Sequence, residues 1–365
     1  MQIPFKAPPQ SLCVIRLSAI GDTCHTVPAV RAIQDAWPET AITWIIGGVE
    51  HSLLAGLDGI EFIVLDKRAG LAGYRDVRRQ LRGRRFPLLL HMHASLRANV
   101  VSMLVSAGTR LGFDRARARD HQWLFCNAHL PATPQQHVMD GLFEFVTAIG
   151  IDPAGPPRWN IPVSAADEAV AARHVDGSQP TLIISPCTGQ RIRNYRNWLP
   201  ERYAAIVDHV AVRYGARVIL TGGDSLLERR YAREIATLAR SPVVDLIGQT
   251  SLKELLALIQ RATAVLCPDS GPAHMATAVG TPVVGLYATS NRHRTGPYMS
   301  QDLVVDRYPE AVAIEFDKPV SELRWGERVR NPEAMNLIEV ADVEAKLDLV
   351  FAGTRPSTEL RNTEP

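Results

Sequence analysis

Four short segments join glycine or proline to acids, bases and hydroxyls in an order suited to handling an anionic ligand. The first, Arg16-Leu17-Ser18-Ala19-Ile20-Gly21-Asp22-Thr23, follows an apolar run. Glycine at a strand-to-helix turn lets backbone approach a ligand closely. Asp22 would then sit at the edge of a cleft near a helix start, although it could equally cap that helix. The spacing is not G-x-G-x-x-G, so a dinucleotide cofactor finds little support. The second, Pro268-Asp269-Ser270-Gly271-Pro272-Ala273-His274, lies between an apolar strand and a helix of small residues. Ser270 and Gly271 can expose backbone amides, and Pro272 can open a helix without wasting a donor. Such a terminus favours a phosphate or pyrophosphate; the rival is a capped helix with a buried histidine.

The third segment runs from Ser185 to Trp198 and carries Thr188, Arg191, Arg193 and Arg196. Its guanidinium groups could neutralise a leaving phosphate, and a solvated loop would look the same. The fourth is Thr221-Gly222-Gly223-Asp224, where Asp224 could accept a ribose hydroxyl bond or simply belong to a tight turn. In Leu90-His91-Met92-His93, alternation puts His91 and His93 on one face near a strand's carboxyl end. A metal site there would need further ligands that the sequence does not offer, so contact with substrate is the better expectation. Arg97, Arg110, Arg115, Arg117 and Arg119 make the neighbourhood cationic, which fits an acidic partner or a solvated face.

These loops need elements to position them, and the apolar pattern supplies an alternation of strand, turn and amphipathic helix. Strands are expected at 12–17, 41–46, 61–65 and 87–93. Helices are expected with Pro28 in a first turn, and over 71–81, 96–107 and 135–149. The stretch 151–180, rich in proline and glycine, reads as a linker. The alternation then restarts, with strands at 181–185, 217–221, 243–247, 264–267 and 282–287. Helices fit over 200–214, 226–240, 252–260, 272–279 and 341–351. Strands separated by helices imply parallel pairing, so the fold class is α/β with two doubly wound units. Ligands in such folds bind outside the carboxyl ends of the strands, where all four segments fall. The expected boundaries are 1–160, 161–352 and a flexible tail, 353–365.

Composition narrows the classes. The chain has 365 residues, 46% hydrophobic and 21% charged, which argues against disorder. Five scattered cysteines without a C-x-x-C pair exclude a disulfide scaffold and a zinc ribbon. No secretory signal or membrane-spanning run is visible, so a cytoplasmic location is expected. A net charge of +2 gives no support to nucleic-acid binding. Only five of the 40 basic residues are lysine; arginine's planar fork suits carboxylate and phosphate oxygens, and a GC-rich genome would give the same bias.

Taken together, these segments resemble the ADP-heptose:lipopolysaccharide heptosyltransferases, glycosyltransferase family 9. The resemblance spans roughly 12–351. It rests on Arg16 to Asp22 with Thr26 and Pro28, on Asp269 to His274, and on Gly112-Phe113-Asp114-Arg115 and His137. It implies a GT-B fold, two Rossmann-like domains facing across a cleft. The acceptor would be bound mainly by the first and the sugar nucleotide mainly by the second. It also implies inverting transfer without a metal or other cofactor, and the absence of an Asp-x-Asp triplet agrees.

Carried onto this sequence, Asp22 matches the catalytic base, and Ser270, Gly271 and Pro272 the segment touching the ADP phosphates, bracketed by Asp269 and His274. Thr188 falls in the phosphate loop, Arg196 stands where lysine is usual, and Asp224 falls at the ribose. Arg16, Gly21, His91, His93, Arg97 and Arg115 are the expected acceptor side. The implied partners are an ADP-heptose donor and an anionic glycolipid or core oligosaccharide, met at the inner face of the cytoplasmic membrane through peripheral association.

Two departures bear on substrate. The family's Asp-x-Gln-Gly-x-x-Lys-Ser run is here His91-Met92-His93-Ala94-Ser95-Leu96-Arg97-Ala98, and the loop before Trp198 is longer than usual. The rival functions are a GT-B nucleotide-sugar epimerase and a sugar-nucleotide-binding protein without transfer activity. The first would isomerise donor alone; the second would bind ADP and transfer nothing.

Overall fold

The computed structural model describes residues 7–189 and 195–353 and divides into two compact units, Met1–Pro162 and Val163–Pro365. Residues 354–365, where the tail was expected, lie outside the described residues, as do Arg191 and Arg193.

The first unit runs β1 (Ser11–Ile15), α1 (Ile20–Ala36), β2 (Ala41–Gly47), α2 (Gly48–Leu54), β3 (Ile60–Leu65), α3 (Leu71–Gln80), β4 (Phe86–His91), α4 (Leu96–Met103), β5 (Ala107–Gly112), β6 (Ala128–His129) and α5 (Val138–Ala148). Its sheet is parallel, in the order β3-β2-β1-β4-β5-β6. Strands covered on both faces need apolar residues throughout. Accordingly Leu12, Cys13, Val14, Ile15, Leu88, Leu89 and Leu90 are wholly buried.

The second unit runs α6 (Ala165–His174), β7 (Thr181–Ile184), α7 (Pro200–Tyr214), β8 (Arg217–Leu220), α8 (Leu226–Leu238), β9 (Val243–Asp245), α9 (Leu252–Arg261), β10 (Ala264–Pro268), α10 (Gly271–Val279), β11 (Val283–Tyr287), α11 (Arg292–Thr295), β12 (Val305–Asp306), α12 (Tyr308–Phe316) and α13 (Val340–Ala352). Its sheet order is β12-β11-β10-β7-β8-β9, also parallel. Counted from each unit's own first strand, both sheets read 3-2-1-4-5-6. That order places a crevice where it reverses, beside the first and fourth strands.

Three expectations need correction. Pro28 lies inside α1, not in its first turn, because the helix already begins at Ile20. A mid-helix proline leaves the carbonyl four residues back without its amide. Here that carbonyl, Cys24 O, accepts from Trp159 Nε1 at 2.9 Å. The helix expected over 96–107 stops at Met103, since Ala107 starts β5. The stretch 151–180 is not all linker: Ser164 caps α6, with Asp167 reaching back to the Ser164 amide.

Candidate functional site

In the first unit the residues after β1 and β4 meet at the point where strand order reverses. Arg16, 7% exposed, follows β1 directly and donates from Nη1 to Met92 O, just past β4, at 2.6 Å. Its Nη2 lies 2.7 Å from Asp22 Oδ1. The other Asp22 oxygen, Oδ2, accepts from the Ala19 amide at 3.3 Å. Ala19 is the N-cap of α1 and has no side chain for the task, so Asp22 supplies the helix-end acceptor from the first turn. The capping role weighed for Asp22 is therefore filled by this carboxylate. Its side chain keeps 38% exposure, so one edge remains open. Burial pushes the carboxyl pKa up, but Arg16, the Ala19 amide and His93 together outweigh it, and the group lies below its ordinary value. Gly21 is buried in the same turn.

His93 Nδ1 accepts from the Leu17 amide at 3.1 Å, which leaves the ring proton on Nε2. Burial, helped by Arg16, lowers its pKa to about 3. It is a neutral ring beside an ionised acid. Two further residues at this strand edge escaped the sequence reasoning. Glu50, 5% exposed, holds Lys67 Nζ at 3.4 Å. They follow β2 and β3, and no motif marks either. The signal available was Gly47: a Cβ there would lie 2.5 Å from both Glu50 Oε2 and Leu17 O.

His91 does not belong to an acceptor surface. Its side chain is fully buried, and Gln122 Nε2 sits 2.9 Å from Nδ1 and donates to His91 O at 2.6 Å. β4 ends at His91, so strict alternation does not carry on to His93. The cationic run is also smaller than expected. Arg110 donates to Ser102 O, Val105 O and Phe125 O, closing the end of α4. Arg117 is tied to Asp114, Glu144 and Pro131 O. Arg97 and Arg119 remain exposed, and Arg115, also exposed, stacks 4.7 Å from the Trp123 ring.

The second unit repeats the device. Arg196 precedes the fully buried Trp198, whose Nε1 donates to Ile338 O at 3.0 Å and anchors that end of the loop. Arg196 Nη1 donates to Asp269 O at 2.6 Å and lies 3.3 Å from Asp269 Oδ2. Arg328, unmarked by any motif, adds a second guanidinium 3.5 Å from that oxygen. Thr188, 4% exposed, donates its amide to Asn197 Oδ1 at 2.9 Å.

Ser270 is the N-cap of α10, but its hydroxyl makes no cap bond. The amides of Gly271 and Ala273 open the helix without that acceptor, and Pro272 has none to satisfy. His274 is buried in the same helix. Two guanidinium groups beside the start of α10 make an anion-favouring corner at the carboxyl ends of β7 and β10.

Asp224 stands apart at the end of β8, with 60% of its side chain exposed and paired with Arg229. The glycines before it sit close against neighbouring side chains. A Cβ on Gly222 would come within 2.8 Å of Ile247, and the Gly223 amide donates to Glu228 Oε1 at 2.7 Å. Among the described residues, no group of three or more His, Cys, Asp or Glu side chains could hold a metal ion. No described helix is long and apolar enough to cross a membrane.

The family model for glycosyltransferase family 9 (heptosyltransferase) matches residues 74–325. The chain is 38% identical over 339 residues to the lipopolysaccharide core heptosyltransferase OpsX of Haemophilus influenzae, covering 93% of this chain and 96% of that one. The chain belongs to glycosyltransferase family 9. Two solved structures share its fold. One is a glycosyl transferase family 9 protein of Veillonella parvula, with TM-score 0.77, 18% identity and coverage of 94% and 97%. The other is the Escherichia coli heptosyltransferase WaaC with ADP, with TM-score 0.71, 16% identity and coverage of 93% and 99%. The two six-stranded units are thus the GT-B fold, and this family 9 member is a heptosyltransferase-like enzyme.

Proposed function

We propose that this family 9 enzyme moves a heptose from ADP-heptose onto a lipopolysaccharide core acceptor, with inversion and without a metal. The observation that carries the proposal is the Asp22 carboxylate, fixed by Arg16 and the Ala19 amide yet open along one edge. The names of its relatives support the sugar and the acceptor. Asp22 takes the proton of an acceptor hydroxyl while that oxygen attacks the anomeric carbon. The bond from that carbon to the diphosphate oxygen breaks, and ADP leaves with the bonding pair. One displacement inverts the anomeric centre.

Negative charge grows on the departing diphosphate. Arg196, held by Asp269, and the opening amides of α10 at Gly271 and Ala273, in the turn that Ser270 and Pro272 shape, are suited to receive it. Thr188 and His274 border that corner, and Asp224 offers a carboxylate to the ribose. On the acceptor side, His93 and Arg16 shape the floor around Asp22, with Arg97 and Arg115 exposed beyond. We place the reaction at the cytoplasmic face of the inner membrane.

The test is incubation of the purified protein with ADP-heptose and core acceptor, followed by mass spectrometry of the oligosaccharide. Gain of one heptose, lost in Asp22→Asn, supports the proposal. Isomerised donor in the absence of acceptor, or ADP binding with no transfer, overturns it.

A further inference from the structure

The most strongly charged segment of the chain lies outside both strand-end corners. Residues 67–85 hold eight basic side chains, Lys67, Arg68, Arg75, Arg78, Arg79, Arg82, Arg84 and Arg85, against one acid, Asp76. The whole protein carries a net charge of only +2, so the remainder is net acidic. Three of the eight have partners: Lys67 with Glu50, Arg79 with Asp76 and Arg84 with Glu61. Arg68, Arg75, Arg78, Arg82 and Arg85 are exposed and make no ion pair among the described residues.

Helical geometry sorts these residues. Gly73 and Val77 face inward on α3, followed by the buried Leu81. Leu71, Arg75 and Arg78 follow one another at spacings of four and three, which puts them on a single opposite stripe, and the exposed Arg82 lies in the turn just past the end of α3. Leu71 heads the stripe with 74% of its surface exposed. The segment begins at Lys67, whose ammonium reaches Glu50 at the strand edge that also carries Asp22.

An exposed apolar side chain leading a row of uncompensated arginines matches the surface of an anionic bilayer. The guanidinium groups meet headgroup phosphates while leucine enters the boundary beneath. We propose that the outer face of α3 docks this protein on anionic phospholipid. The proposal goes beyond the transferase assignment, and its failure would leave that assignment standing.

The test is sedimentation of the full chain with vesicles of phosphatidylcholine alone, or with about one-third phosphatidylglycerol, neither containing any glycolipid. Binding should require phosphatidylglycerol and fall as salt rises. Each headgroup-facing arginine is worth about fivefold in partition, so the charge-reversed variant R75E/R78E/R82E should bind at least about a hundredfold less. The variant R75K/R78K/R82K should bind nearly as well as the parent. Transfer to a detergent-dispersed acceptor, read in parallel, should be unchanged in both, which shows that they are folded. Failure to bind phosphatidylglycerol vesicles at low salt, or equal binding by the glutamate variant, overturns the proposal. So does selective capture by RNA in place of vesicles.

Discussion

Arg16 Nη2 stands 2.7 Å from Asp22 Oδ1, and the same guanidinium grips the backbone beyond β4 through Met92 O. The acid is therefore fixed by a cation that belongs to the sheet and not to the helix. A base held this way keeps its direction but surrenders some basicity, because the arginine favours the ionised form.

Replacing Asp22 with asparagine keeps the shape and removes the proton acceptor. Turnover should fall about 10²- to 10⁴-fold while ADP affinity stays nearly unchanged. Steady-state kinetics with a calorimetric ADP titration check this; near-normal turnover would remove the general-base role.

The pH dependence follows from the sign of the shift. Asp22 is held below its ordinary carboxyl value, so the proposed base stays ionised until the pH falls beneath the usual carboxylate range. Removing the guanidinium in Arg16→Met leaves the burial and takes away the main opposing charge. The acid limb of kcat/KM should then move to higher pH. An unmoved limb in that variant would show that Arg16 does not set the ionisation of the base. The depressed pKa also stabilises the fold above the unfolded carboxyl value, and that contribution is lost as pH falls through the folded one.

Arg196→Ala should weaken ADP binding and leave Arg328 as the remaining cation on Asp269. A charge-assisted bond to phosphate is worth about 1.5 to 3 kcal/mol, roughly a tenfold to hundredfold loss in affinity. Equal affinity for parent and variant in calorimetry would contradict the phosphate role.

Trp159→Phe should destabilise the first unit by about 1 kcal/mol, because it strands the Cys24 carbonyl that Pro28 cannot serve. Denaturant midpoints would report it, and an unchanged midpoint would mean that water replaces the indole.

Much of the fold was legible because the parallel strands are short apolar runs broken by glycine, proline or a polar cap. The positions of Asp22 and Ser270 in the fold were legible for the same reason, since each lies in the loop or first helical turn that follows such a run. What was missed depended on distant partners. Pro28 reads as a first-turn residue until Trp159, 135 positions from Cys24, is seen to replace the lost bond. Arg110 and Arg117 read as ligand-facing charges until helix-end carbonyls and buried acids are seen to occupy them. β5, Ala-Gly-Thr-Arg-Leu-Gly, carries a single β-branched residue, Thr109, and its pairing with β4 and β6 is what defines it. Glu50 and Lys67 come together only once β2 and β3 are side by side.

The shared strand order has an evolutionary corollary. Each half fastens its own reversal point with its own arginine, Arg16 onto Met92 O and Arg196 onto Asp269 O. On the function proposed above, inheritance could then revise the tips around His93 and Arg97 to suit a new sugar chain while Arg196 and Asp269 stay as they are. Such independence lets one ancestral scaffold diversify its products one half at a time.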